Sequence, residues 1–190
     1  MKRDYSDFYH LLASGETDFP DGVKKIIDFF TTNNLWFNLS RNVKALGCRE
    51  AANKRNRLGH TGIPLEHELK SFFGKFINAG GNEQYVVLHC KGHQELDHDK
   101  IKKTLRARQE VNKLANEELA EIFHMDYGLI NPFTLDPLFW DTPILQVFDR
   151  SLKVNDILPY TMMTNAGDLT WAIEFKPNEL FEVVKHYRLE

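Results

Sequence analysis

The sequence predicts an α+β domain: a mixed, mainly antiparallel sheet with surrounding helices. Three observations carry this. Short β-rich runs alternate with stretches of helical period. Two of the intervening turns, Asn78-Ala79-Gly80-Gly81-Asn82 and Asn165-Ala166-Gly167-Asp168, have the glycine-and-amide chemistry of hairpins. Hairpins join neighbouring strands antiparallel, which argues against an all-parallel doubly wound sheet.

Taken in order, Phe8, Leu11 and Leu12 hint at a short helix near the start. Val23, Ile26, Ile27 and Phe30 recur at helical spacing after the start signal Pro20-Asp21, and Asn33-Asn34 stops that helix. Leu35 to Leu39 reads as a strand, Glu50 to Arg57 as a charged helix, and Leu58 to Pro64 as a loop. Pro64 opens a helical turn over Leu65 to Leu69. Strands Ser71–Ile77 and Tyr85–Cys90 flank the first hairpin turn. Asp97 caps a helix that turns Ile101 and Leu105 inward. Asn116 caps another, with Leu119, Ile122 and Phe123 as its buried side. A Pro-bounded loop, Asp136 to Pro143, precedes a strand over Ile144–Phe148. The second hairpin pairs Tyr160–Thr164 with Leu169–Phe175, and a last helix from Pro177 buries Leu180, Val184 and Tyr187.

The 190 residues suit one domain, or one with a short appendage, and 42% apolar against 27% charged residues is ordinary for a soluble globular chain. Fourteen phenylalanines make the core aromatic-rich. A net charge of −3 leaves any nucleic-acid contact to a local basic patch. The two cysteines form no disulfide framework and fit a reducing compartment. No apolar run approaches the ~20 residues of a membrane span. The start Met-Lys-Arg-Asp-Tyr-Ser lacks the apolar segment of an export signal, so a cytoplasmic protein without membrane contact is expected.

The stretch Tyr127-Gly128-Leu129-Ile130-Asn131-Pro132-Phe133 stands out. Glycine allows close backbone approach or positive φ, and proline fixes the chain where it leaves. Such a segment can floor a pocket with inward main-chain N–H groups, or be a plain loop-to-strand turn. Lys70, at the entrance of an apolar strand, is either a solvated gatekeeper or a cation aimed into a pocket. Lys100, Lys102, Lys103, Arg106 and Arg108 read as one helix face, either solvated or touching a nucleic-acid backbone. Arg49, Lys54, Arg55 and Arg57 could extend that patch.

His89, Cys90, His93, Asp97 and His98 invite a metal reading. On a strand, however, His89 and Cys90 point to opposite faces, and the spacing fits no zinc pattern, so no metal is expected. Ser71 lies in a strand rather than on a nucleophile elbow, and neither cysteine has a catalytic setting. Dinucleotide and P-loop glycine patterns are missing, and no cofactor is expected.

The order of these pieces resembles the YbaK / prolyl-tRNA synthetase-associated editing domain family over roughly Asp21 to Tyr187. Leu69-Lys70-Ser71-Phe72-Phe73 resembles its lysine-bearing strand entrance, and Asp97 to Lys103 its next helix. Gly128-Leu129-Ile130-Asn131-Pro132-Phe133 is similar to its Gly-x-x-Ser/Thr-Pro-Phe signature. Val147-Phe148-Asp149 resembles its strand ending in aspartate, and Met163-Thr164-Asn165 its C-terminal hairpin. Asn131 stands where the family has Ser or Thr, and Leu129 where some members have glycine.

The resemblance implies a domain of that fold over residues 21–190, with 1–20 an extension of open role. It implies a trans-editing deacylase that hydrolyses the ester of mischarged tRNA, and its alternative is a non-catalytic module of the same fold. Lys70 and Gly128 are implied as catalytic positions. Leu129, Ile130, Asn131, Pro132, Phe133, Met163, Thr164 and Asn165 are implied to bind substrate. The implied partner is the 3′ acceptor end of tRNA, with an aminoacyl-tRNA synthetase as a second candidate.

Overall fold

The computed structural model describes residues 18–45, 47–57, 60–133, 135, 144–153 and 160–183. The helix expected around Phe8, Leu11 and Leu12, the loop over 136–143, and Val184 and Tyr187 lie outside the described residues.

Helix α1 (Asp21–Thr32) forms because Val23, Ile26 and Phe30 fall on one face, where all three are buried. Its end is a Schellman motif: Leu35 N–H donates to Phe30 O and Asn34 N–H to Thr31 O, with Asn34 at φ 52° where glycine is usual. That motif consumes Leu35, so strand β1 begins later than expected, at Phe37–Arg41. Helix α2 spans Cys48–Lys54 rather than Glu50–Arg57. It stops where Arg55 turns inward and Asn56–Arg57 (β2) pairs with His60–Thr61 (β3), inside what reads from sequence as a loop.

After a 3-10 turn at Leu65–His67 come β4 (Leu69–Ile77) and β5 (Glu83–Lys91), an antiparallel hairpin in continuous register. Both strands outrun the expected limits, because cross-strand pairing extends them past the apolar run. Helix α3 is His98–Leu105, and the Asp97 side chain accepts from Lys100 N–H as expected. Arg106 adopts φ 50° and ends it, and Arg108 folds back to donate 2.8 Å to Ala79 O, so the five cations do not share one helical face.

β6 (Asn112–Lys113) edges β4, and α4 follows at Asn116–Phe123. Its N-cap is Ala115, not Asn116, and Ile122 is 39% exposed rather than buried. β7 (Ile144–Phe148) lies parallel to β5, then β8 (Met162–Asn165) and β9 (Trp171–Phe175) form the second hairpin, and α5 covers Pro177–Val183.

The strands make two main sheets, ordered β6-β4-β5-β7 and β1-β9-β8. An isolated parallel bridge, Glu68 to Met163, joins them. Side-chain alternation gives the four-stranded sheet two buried faces. Phe73, Val87 and Ile144 meet Leu119 and Phe123 of α4, while Phe76, Val86 and Leu88 meet Ile101 and Leu105 of α3. The second sheet packs on α1 through an aromatic cluster in which Phe133 touches Phe30 (centroids 4.7 Å) and Phe175 (5.2 Å). Burying each such ring contributes roughly 1.5–3 kcal/mol. No helix of the described residues is long and apolar enough to cross a membrane.

Candidate active site

A cavity of about 230 Å³ opens where the two sheets meet. Its walls come from the segment before α2 (Asn42, Val43, Ala45), from α2 itself (Cys48, Ala51, Lys54), and from Arg55, Glu68, Leu69 and Ser71. Tyr127, Gly128 and Ile130 supply another side, and Thr164, Asn165 and Leu169 close it. Of the positions expected from sequence, Gly128, Ile130, Thr164 and Asn165 therefore converge on one cavity.

The others lie behind the wall. Phe133 is in the aromatic core, and Met163 is buried with Ala52, Ile63 and Ala172. The Pro132 carbonyl accepts from Gln146 Nε2 at 3.2 Å. Leu129 lends its carbonyl to Asn131 Nδ2 at 3.1 Å. Asn131, 0% exposed, also donates 2.8 Å to Asn165 Oδ1 and accepts 2.9 Å from Phe133 N–H. Asn165 Nδ2 in turn donates 3.2 Å to Ile130 O. Asn131 thus clamps its segment to β8 rather than filling the pocket.

Tyr127 fixes the start of that segment. Its hydroxyl lies 2.8 Å from Phe73 O and 2.7 Å from Leu114 O, and burial pushes its pKa up to about 12. The chain then makes one 3-10 turn, Tyr127–Leu129. The inward amides expected here are largely spent inside the turn: Leu129 N–H donates to Asp126 O and Ile130 N–H to Tyr127 O. Gly128 brings the backbone close to Leu169, so that an added Cβ would sit 2.6 Å from Leu169 Cδ2 and that side chain would have to move.

Lys70 is not among the lining residues. It sits within β4 opposite Cys90, on the face away from Leu69 and Ser71, and its Nζ donates 2.5 Å to Gln94 O. Its charge still reaches the cavity, where it counters part of the rise in the Cys48 thiol. That thiol is pushed up to about 11 by burial first and the Glu68 carboxylate second, so it is protonated at neutral pH.

Two features of the wall escaped the sequence reading. Arg55, expected as part of a surface patch, is buried in a bidentate pair with Glu68, with Nη2 to Oε1 at 2.8 Å and Nε to Oε2 at 3.2 Å. Burial raises the Glu68 carboxyl above its usual range, and the Arg55 hydrogen bond and charge oppose it. Lys54 likewise pairs with Glu50 along α2. Nothing local announces the Arg55–Glu68 pair, because the two residues meet across the β2–β3 excursion.

The second feature was accessible. Once the 78–82 turn sets Ile77 opposite Glu83, counting back along both strands puts Ser71 opposite His89. There Ser71 Oγ lies 2.9 Å from His89 Nδ1, and His89 Nε2 lies 2.9 Å from Gln146 Oε1. His89 and Cys90 occupy opposite faces, as alternation requires. Among the described residues, no three His, Cys, Asp or Glu side chains are grouped to hold an ion.

This geometry frames the comparisons with known proteins. No curated protein matches the sequence significantly. The chain is similar in structure to a crystallised hypothetical protein, APE2540, with 19% identity and TM-score 0.66, covering 86% of this chain and 96% of that one. It is also similar to a chain from a study of epitope backbone grafting by computational design, with 16% identity and TM-score 0.59, covering 90% and 96%. At these identities the likeness speaks for the fold alone. The sequence itself matches the model of the aminoacyl-tRNA editing domain over residues 48–182, a span that contains most of the cavity wall. The chain belongs to the aminoacyl-tRNA editing domain family.

Proposed function

We propose that this protein is a trans-editing deacylase, hydrolysing the ester that joins a wrong amino acid to the 3′ end of tRNA. The observation that carries the reading is the convergence of Gly128, Ile130, Thr164 and Asn165 on one cavity within a chain of the editing family. Its volume, about 230 Å³, falls below the usual ~300–1,000 Å³ of small-molecule pockets. It suits an aminoacyl group, with the terminal adenosine held at the mouth.

The chemistry asks little of the protein. An aminoacyl ester is already activated, and a held water, helped by the neighbouring ribose hydroxyl, can attack it. Near-attack positioning and a donor to the developing oxyanion supply the rate, one such donor being worth ~3 kcal/mol. Gly128, with its backbone at the wall, is assigned that donor. Lys70, outside the cavity wall, is assigned the 3′-terminal phosphate or ribose, exchanging its bond to Gln94 O for the substrate.

Incubation with a panel of mischarged tRNAs tests this. At least one should be deacylated, and Lys70→Ala should lose most of that activity. If none turns over faster than without protein, the reading is wrong. The second reading, a non-catalytic tRNA-binding module, is favoured by the engagement of Lys70 with Gln94 away from the cavity. It predicts salt-dependent tRNA binding with no turnover.

A further inference from the structure

Ser71 lines the cavity with a hydrogen-bonded chain behind it, and that chain fixes which way its proton points. Gln146 Nε2 donates to Pro132 O at 3.2 Å, which orients the carboxamide so that Oε1 faces His89 Nε2 at 2.9 Å. An oxygen facing a ring nitrogen needs a hydrogen between them, so Nε2 carries the proton. Nδ1 is then the lone-pair nitrogen, and Ser71 Oγ–H, 2.9 Å away, donates to it. The ring itself is 1% exposed and stacked on Phe148, with centroids 4.7 Å apart. A hydroxyl has one proton. With that proton committed inward, Ser71 shows the cavity only acceptor lone pairs.

An aminoacyl ester offers such an acceptor two kinds of donor, its α-ammonium and its ribose hydroxyls. Glu68 and its bidentate partner Arg55 both line the cavity and offset each other's charge, so hydrogen-bond strength decides between the two donors. A bond from an ammonium to a pure acceptor is the stronger of the two, being charge-assisted.

We propose that Ser71 is the binding residue for the α-ammonium of the aminoacyl group, its hydroxyl held as a pure acceptor by the His89–Gln146–Pro132 chain. This rests on the aminoacyl-ester reading above. It also separates Ser71 from a nucleophile: attack through Oγ would leave its proton on an enclosed imidazole that has a carboxamide, not a carboxylate, behind it. Burial holds that imidazole down to about 4.

The test is binding of 3′-amide-linked aminoacyl-adenosines, which cannot be hydrolysed, each compared with its analogue lacking the α-amino group. The wild-type protein should favour the amine by about ten-fold or more, as a charge-assisted hydrogen bond requires. Ser71→Ala should erase that preference while leaving affinity for the deamino analogue in place. Ser71→Thr, which keeps the hydroxyl, should retain it. Imidazole nitrogen NMR should show His89 neutral with its proton on Nε2. A preference that survives in Ser71→Ala, the opposite tautomer, or an acyl group trapped on Ser71 would each overturn the proposal. Deacylation without any amine preference also sinks Ser71 and spares the deacylase. An amine preference without turnover does the reverse, and no binding of any analogue removes both.

Discussion

On one side of the cavity Arg55 and Glu68 meet as buried ions. On the other, Asn131, Asn165, Gln146 and a neutral His89 meet as amides and an uncharged ring. Both sides solve the same problem, which is to hold an irregular segment against a sheet without leaving a polar atom dry. They differ in what happens when a partner is lost. An orphaned buried ion carries a far larger desolvation penalty than an orphaned amide. The charged side is therefore strong only as a pair, and the neutral side is built from bonds that fail one at a time.

Arg55→Met breaks the comparison most severely, because it strands the Glu68 carboxylate. It should lower stability by about 3–5 kcal/mol in denaturant unfolding. Adding Glu68→Met should restore most of that loss, and a double variant no better than the single one would show that the pair is not what fails.

The neutral side is sensitive to acid instead. His89 drops from 6.5 to about 4 on folding because burial disfavours its cation. The unfolded chain then binds the extra proton between those two pH values. Stability from this group is present above pH 6.5 and lost as pH falls toward 4, by roughly 3 kcal/mol in all. His89→Asn should flatten that limb of the stability curve. Glu68 has the opposite sign: its raised carboxyl contributes stability at low pH that is lost as pH rises through its folded value.

Asn131→Ala removes a donor to Asn165 and Leu129 O and an acceptor for Phe133 N–H. A loss of about 1–3 kcal/mol is expected, smaller than for Arg55. Gly128→Ala should cost least, about 1 kcal/mol, the low end for added bulk, because the atom it meets is the end of the Leu169 side chain, which can rotate away. Deacylation should fall more than stability does, since the displaced leucine lines the cavity.

The two sides were not equally legible in the sequence. Hairpin turns, the Asp97 cap and the α1 face are local signals, and each stands where the residues placed it. The Gly128–Phe133 segment was also found, but only its position. Which of its side chains face the cavity depends on Asn165 and Gln146, which belong to strands far along the chain. Arg55 reads from sequence as surface because a basic run looks solvated until its carboxylate partner is folded in from Glu68. Ser71 has no nucleophile elbow to mark it, although strand register alone puts a histidine opposite it.

The bridge between Glu68 and Met163 has one more effect. Leu69 and Ser71 hang from one sheet, Thr164 and Asn165 from the other, and the bridge ties the two sheets together beside the cavity. Bulk added beside Met163, behind that tie, should therefore re-size the chamber while every residue facing the guest stays the same.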